Sequence, residues 1–298
     1  MIHGIINVYK EKGFTSHDVV AKLRGIVGQK KIGHTGTLDP DATGVLPVCL
    51  GKATKLCDLL TDKNKTYEAV LLLGKTTDTQ DITGEVLEEK STEALTEEKV
   101  REAIEGFIGD YEQIPPMYSA LKVNGKKLYE LAREGKVIER KARPVKILDI
   151  QILEIDLPKV RMEVSCSKGT YIRTLCHDIG EKLGCGGCME SLIRTRVSTF
   201  RIEDAKMLDE IETLKQEGKL AELLVPIDAM FPSYPKITVK DDWKAFAKNG
   251  NPLDLKMLKE ACGQDEETQV RLYDESGKFI AIYQWKEKKY HIVKMFFN

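Results

Sequence analysis

The 298-residue chain is 42% hydrophobic and 31% charged with a formal net charge of −1, which fits a soluble globular protein with one large domain and one small one. Met1–Lys10 has no long apolar stretch after a basic start, and the longest apolar runs, such as Val70–Leu73, are far too short to span a bilayer, so neither a secreted nor a membrane protein is expected. Seven scattered cysteines, an odd number, read as reduced thiols of a cytoplasmic protein and not as a disulfide framework.

Gly4–Tyr9 reads as a strand, followed by a turn at Lys12-Gly13 and a helix with Ser16 as candidate N-cap. Val19, Val20, Leu23, Ile26 and Val27 fall at helical spacing, and Gly28 caps the end. Ile32–Gly44 is too irregular and glycine-rich for a helix and is expected to be a shaped loop, the kind of segment that carries function. Thr66–Leu73 reads as a strand, and Val100, Ile104, Phe107 and Ile108 mark a helix after Thr96. Val145–Ile155 and Val160–Cys166 read as paired strands, and Ile172–Leu183 as a helix capped by Gly184. After Pro226 and Pro232 come short strands, Ile237–Val239, Val270–Tyr273, Phe279–Trp285 and Tyr290–Phe296, around one helix, with Asp274–Gly277 as a turn. They suggest a small β-rich C-terminal domain beginning near residue 231. Strands and helices mix without a regular βαβ repeat, which favours an α+β fold around a largely antiparallel sheet.

Charge is segregated along the chain. Ser119–Lys146 holds nine Lys or Arg against three acids, while Thr76–Glu112 holds twelve acids against three basic residues. The first suits a polyanion, the second a solvated face turned away from one, and two ordinary charged surfaces would read the same way. Cys185-Gly186-Gly187-Cys188 lacks a second such pair, so packing or loop cysteines are expected there and no metal.

Gly33-His34-Thr35-Gly36-Thr37-Leu38-Asp39-Pro40-Asp41-Ala42-Thr43-Gly44-Val45-Leu46-Pro47 is the most informative stretch. Glycines permit a tight backbone and Pro40 restricts Asp39, so one carboxylate is rigidly presented; a structural Gly/Pro/Asp turn fits the same residues. The stretch closely resembles the signature of the TruB family of tRNA pseudouridine synthases. The resemblance continues through Gly51-Lys52-Ala53-Thr54-Lys55, Lys65-Thr66-Tyr67, Gly74–Asp81, Gln113–Ala120 and Ser167–Arg173, and covers roughly residues 1–230.

That resemblance implies the pseudouridine synthase α+β fold with a central cleft, and isomerisation of uridine 55 in the TΨC arm of tRNA without a cofactor. It implies Asp39 as the catalytic carboxylate, Arg173 as its partner through a charge-assisted hydrogen bond that a planar guanidinium can make bidentate, and Tyr67 as the aromatic that stacks on the base and assists proton removal at C5. On the substrate side it implies His34, filling space near the vacated base, with Tyr171 at the pocket wall. Lys10 fits the family's N-terminal lysine and supports the catalytic loop, although Tyr9 and Glu11 depart from the usual pattern. Leu192 and Arg194 resemble a motif near the cleft, which a core leucine and a phosphate-contact arginine would also explain. The basic segment, about 113–146, coincides with a thumb that closes on the RNA arm, and residues 231–298 resemble a PUA-like domain. No obligate protein partner is expected. Two other readings stay open: a non-catalytic tRNA-binding protein, and a hydrolase using Asp39 with Asp41.

Overall fold

The computed structural model describes residues 1–123, 125–260 and 262–297; Asn124, inside the basic segment, lies outside the described residues, as do Ala261 and Asn298. In chain order the first half runs β1 (Gly4–Lys10), α1 (Ser16–Val27), β2 (Ile32–His34), β3 (Thr43–Leu50), α2 (Cys57–Thr61), β4 (Lys65–Leu73), β5 (Lys75–Thr77), β6 (Val86–Glu89), α3 (Glu97–Glu105) and β7 (Gly109–Gln113). The basic segment contributes the hairpin β8 (Lys122–Val123) and β9 (Lys126–Lys127) with α4 (Leu128–Arg133). Then follow β10 (Arg143–Asp156), β11 (Lys159–Cys166), α5 (Ile172–Leu183), β12 (Gly187–Val197), β13 (Phe200–Arg201) and α6 (Leu208–Gln216). The C-terminal part holds β14 (Lys236–Thr238), α7 (Lys244–Lys248), β15 (Gln269–Tyr273), β16 (Phe279–Lys286) and β17 (Lys289–Met295).

The main sheet has the order β1-β3-β12-β4-β11-β10-β7, with β2 beside β3 and β13 beside β12. Its pairs are antiparallel except β3 with β12, which meets the expectation of an α+β fold around a largely antiparallel sheet. One core packs α3 and α5 on β4, β10 and β11 through Ala69, Leu71, Val160, Met162, Leu175 and Ile179. A second packs α1 and α6 on β1 and β3 through Val19, Leu23, Ile6, Val48 and Ile211. The C-terminal strands form a separate four-stranded sheet with its own core of Ile237, Val270, Leu272, Tyr283 and Tyr290, and Phe231, Ile282 and Phe296 join Val45, Cys49 and Leu56 in a shared apolar seam. Among the described residues no helix is long and apolar enough to cross a membrane.

Three local expectations change. The cap of α1 is Thr15, whose hydroxyl accepts from Asp18 N–H while Asp18 accepts from Thr15 N–H; Ser16 is the first helical residue. Ile32–His34 and Thr43–Gly44 are strand, so the loop shrinks to residues 35–42. Phe107 and Ile108 lie beyond α3. Strand β12, which the sequence pattern concealed, runs through the middle of the sheet. Register shifts at Met189/Ser191 and Arg194/Arg196 break the two-residue alternation by which a strand is read.

Candidate active site

Residues 35–42 leave the sheet between β2 and β3 and carry Asp39. Leu38 anchors the loop by packing into the core that also contains Tyr67, and its N–H donates to Ser16 Oγ at 2.9 Å. Gly13 N–H donates to the Pro40 carbonyl at 2.9 Å and Ala42 N–H to that of Asp39 at 3.1 Å. Two buried cations hold the rest. Lys10 Nζ donates to the carbonyls of Ala42 at 2.5 Å, Pro40 at 3.0 Å and Glu11 at 3.2 Å. Arg194 Nε donates to the Val45 carbonyl at 2.8 Å, and its terminal nitrogens reach those of Gly36 and Thr37 at 3.4 and 3.5 Å. Gly44 lets β12 pass this close: a Cβ there, on a backbone with φ +105°, would lie 2.3 Å from the Arg194 carbonyl oxygen.

These contacts bear on the readings left open for Arg194 and Lys10. Arg194 is buried, with Nε and both terminal nitrogens turned on backbone carbonyls, which does not suit a surface phosphate contact. Lys10, also buried, braces the loop from inside, its ammonium turned on three backbone carbonyls, which places it in support of the loop and not on the substrate side. Burial lowers its pKa to about 8 against the opposing charges of Asp39 and Asp41.

Arg173, in the first turn of α5, meets Asp39 through one nitrogen, Nε to Oδ2 at 3.0 Å, so the pair is not bidentate. Its other donors go elsewhere: Nη1 to the Thr79 carbonyl at 3.1 Å and toward Asp81 Oδ2 at 3.6 Å, and Nη2 to the Tyr118 carbonyl at 2.8 Å. One guanidinium thereby ties the Asp39 loop to the β5–β6 turn and to the root of the basic segment. Burial raises the Asp39 pKa, Arg173 opposes the rise and Asp81 adds to it.

Asp81 escaped the sequence reading because it sits in the acidic stretch assigned to a face turned away. That assignment fails at its first turn. Asp81 is fixed by Thr79 Oγ1 at 2.8 Å, Thr83 N–H at 3.0 Å and Thr83 Oγ1 at 2.6 Å, and Gln80 adopts φ +63° while its Oε1 accepts from Thr174 Oγ1 at 2.7 Å. The available signal was the place of Asp81 at the end of Gly74–Asp81, one of the segments that carry the resemblance. Asp41, by contrast, is exposed and 3.9 Å from Lys12, so the carboxylate that shares the arginine with Asp39 is Asp81.

Tyr67 on β4 is buried, opposite Arg194 on β12 and Val164 on β11. Burial pushes its phenol up to about 12, opposed by the neighbouring guanidinium of Arg194, so at neutral pH it is an uncharged hydroxyl. Leu192 lies in the core cluster that holds Tyr67 and Leu38. Tyr171 caps α5 by position, and its main chain is gripped from both sides by Gln113, whose Oε1 accepts at 2.8 Å and whose Nε2 donates at 3.0 Å. His34 accepts from Gly36 N–H through Nδ1 at 3.3 Å; burial lowers its pKa. His17, which the sequence reading passed over, stands edge-on to it with ring centroids 5.4 Å apart. Cys185 and Cys188 are buried free thiols, and among the described residues no three His, Cys, Asp or Glu side chains cluster as metal ligands.

Residues 24–172 match the family model described as the N-terminal domain of TruB family pseudouridylate synthase, and residues 173–232 that of the tRNA pseudouridylate synthase B C-terminal domain. The chain belongs to the TruB family. A relative from Lachnoclostridium phytofermentans named tRNA pseudouridine synthase B is 58% identical over 99% of this chain and 100% of its own. One of the same name from Bacillus pumilus is 44% identical over 99% and 96%. Among solved structures, a chain in an H/ACA RNP bound to a substrate RNA containing 2′-deoxyuridine has a TM-score of 0.73 at 26% identity, covering 99% of this chain and 85% of that one. A chain in a Cbf5-Nop10-Gar1 complex has 0.72 at 29%, covering 98% and 84%.

Proposed function

We propose that this TruB family member converts uridine 55 in the TΨC loop of tRNA to pseudouridine, with Asp39 as its catalytic carboxylate, in a reducing cytoplasm. Support for the substrate comes from the full-length relatives named tRNA pseudouridine synthase B. The observation that carries the chemistry is a half-buried Asp39 held 3.0 Å from Arg173 on a loop that two buried cations keep rigid.

The reaction breaks N1–C1′, turns the uracil and joins C5 to C1′; C5 gives up a proton and N1 gains one. Every route open to a single carboxylate, addition to the base, attack at the sugar or assistance to a glycal, proceeds with Asp39 ionised. Arg173 maintains that charge against burial and fixes the direction of the carboxylate. A base stacked in an RNA arm is out of reach until it is flipped. His34, kept neutral by burial, fills the gap, and Tyr67 stacks on the uracil, worth about 1–3 kcal/mol per base. With its phenol pushed up to about 12, Tyr67 orders the base and is a poor proton acceptor. Residues 113–146 act as the thumb on the phosphates, and residues 231–298 as a PUA-like RNA-binding module.

The test is unmodified tRNA incubated with wild type and with Asp39→Asn, mapping pseudouridine and assaying free uracil together. Pseudouridine at position 55 with wild type alone, without uracil, is the expected result. Binding without product in wild type overturns the reading in favour of a non-catalytic RNA-binding protein, and free uracil in favour of a hydrolase.

A further inference from the structure

The start of α1 is locked to the Asp39 loop. Gly13 N–H donates to the Pro40 carbonyl at 2.9 Å, Ser16 Oγ accepts from Leu38 N–H at 2.9 Å, and the Thr15–Asp18 cap is closed further by Thr15 Oγ1, which donates to Asp18 Oδ2 at 2.6 Å. Ser16, Val19, Val20 and Leu23 are buried, so the helical period turns residue 17 away from the core. His17 is exposed there, at a position where core packing calls for no aromatic. Its ring stands edge-on to that of His34, with centroids 5.4 Å apart and planes at 74°.

The two rings come from separate elements. His34 ends β2, where its backbone pairs with Val48, and its half-buried side chain accepts from Gly36 N–H through Nδ1 at 3.3 Å, which leaves the proton of the neutral ring on Nε2. That bond lies beyond the usual range of about 2.7–3.2 Å and holds the ring weakly. The outer torsion of a histidine is broad and roughly two-fold, so one long hydrogen bond does not settle the plane of the ring. A second ring set edge-on narrows that freedom, because aromatic rings prefer the T-shaped approach.

A side chain that fills the place of a flipped base has to keep its plane there, or the uridine returns to the stack. We propose that His17 is a positioning residue for uridine flipping: it fixes the ring plane of His34 and does not itself touch the uracil. The helix supplies the rigidity. Since residues 13–16 hold Leu38 and Pro40 while residue 17 meets His34, one short segment keeps the Asp39 loop and the His34 ring in a common register. The proposal rests on the tRNA reading above and on the place given there to His34, and it adds a residue to which that reading assigns no role.

The experiment follows two signals in single turnover on unmodified tRNA: pseudouridine formation, and the fluorescence of a 2-aminopurine placed beside the target uridine, which rises as its neighbour leaves the stack. His17→Ala is expected to slow both by about three- to tenfold, the size of one aromatic contact, with the unfolding temperature unchanged as for other exposed positions. His17→Phe, which keeps an edge-on ring and loses the hydrogen-bonding nitrogens, recovers most of both signals, whereas His17→Asn does not. In a His34→Ala background His17→Ala adds no further loss, because the two act as a unit. Wild-type flipping and rate in His17→Ala overturn the proposal, as do losses that multiply in the double variant, rescue by Asn in place of Phe, or a His34→Ala variant that flips and isomerises like wild type. Failure of the tRNA reading looks different, since wild type would then form no pseudouridine at all.

Discussion

The cations around Asp39 and those of the basic segment do opposite work. Lys10, Arg194 and Arg173 are 0, 1 and 5% exposed, and their donors are directed mainly at backbone carbonyls. In the basic segment Lys126 and Lys136 share Glu134 at 3.3 and 2.7 Å, with side chains more than half exposed, Arg140 Nη1 turns inward to the Pro115 carbonyl at 3.0 Å, and Lys122 and Lys141 lie in solvent. A buried cation turned on backbone carbonyls positions a loop and is out of reach of a phosphate in solvent. An exposed one attracts a polyanion and positions nothing. Counting charge along a sequence therefore cannot separate braces from binders; burial does.

The strongest way to break this comparison is Arg194→Met. It keeps an apolar stem but leaves the Gly36, Thr37 and Val45 carbonyls without their donor, at about 1–3 kcal/mol for each buried acceptor left unsatisfied. We expect a fall of at least about a hundredfold in single-turnover rate, because a small displacement of a positioned group is costly, with tRNA affinity within about threefold of wild type. Thermal unfolding separates a loosened loop from a lost fold, and Arg194→Lys, which restores one donor, recovers part of the rate. Weakened binding with an unaffected rate would make Arg194 a phosphate contact after all.

Arg173→Lys sharpens the same point at the junction. A lysine supplies charge but cannot reach Asp39, Thr79, Asp81 and Tyr118 from one planar group. We expect about ten- to a hundredfold slower isomerisation with binding retained. The pH profile carries the sign. Burial raises the Asp39 pKa and Arg173 opposes that rise, so the acid limb of the rate, which follows ionisation of Asp39, lies above the ordinary carboxylate range in wild type and moves higher still in the variant. A limb that stays put would mean that Arg173 acts on the loop geometry alone.

Much of the framework was legible because local pattern and tertiary role agree there. The alternation of Thr66–Leu73 and the 3.6-residue spacing of Ile172–Leu183 appear as β4 and α5. What stayed hidden was set by contacts far apart in sequence. Arg194 and Val45 are 149 residues apart, and nothing around Arg194 distinguishes a buried brace from a surface arginine. Asp81 approaches Arg173 only because the β5–β6 turn folds over α5, and its acidic neighbours pointed to solvent. Strand β12 was masked by its bulges. The tight loop that presents Asp39 was legible for the reverse reason, since the glycines and proline that shape it are adjacent; the role proposed for Asp39 came from the family resemblance and not from those residues.

The smallest expected effect falls on the exposed side of the comparison. Lys122→Gln/Lys141→Gln removes two solvent-facing charges that hold no described hydrogen bond or ion pair, so stability should change by no more than about 0.5 kcal/mol. Neutralising a cation that meets one phosphate makes the dependence of log K on log salt shallower by about 0.7–0.9, and tRNA affinity at 0.1 M salt should fall about threefold while the rate at saturation stays at the wild-type value. Arg101→Gln on α3, in the acidic stretch, is the matched control and should leave the salt slope unchanged. If the control shifts the slope as much as the paired variant does, the protein responds only to net charge, and the division between a face that meets RNA and one that does not would collapse. A shift confined to the basic segment would instead show that the field acting on the RNA is local, as the opposite charges of the two stretches require at a Debye length of about 10 Å.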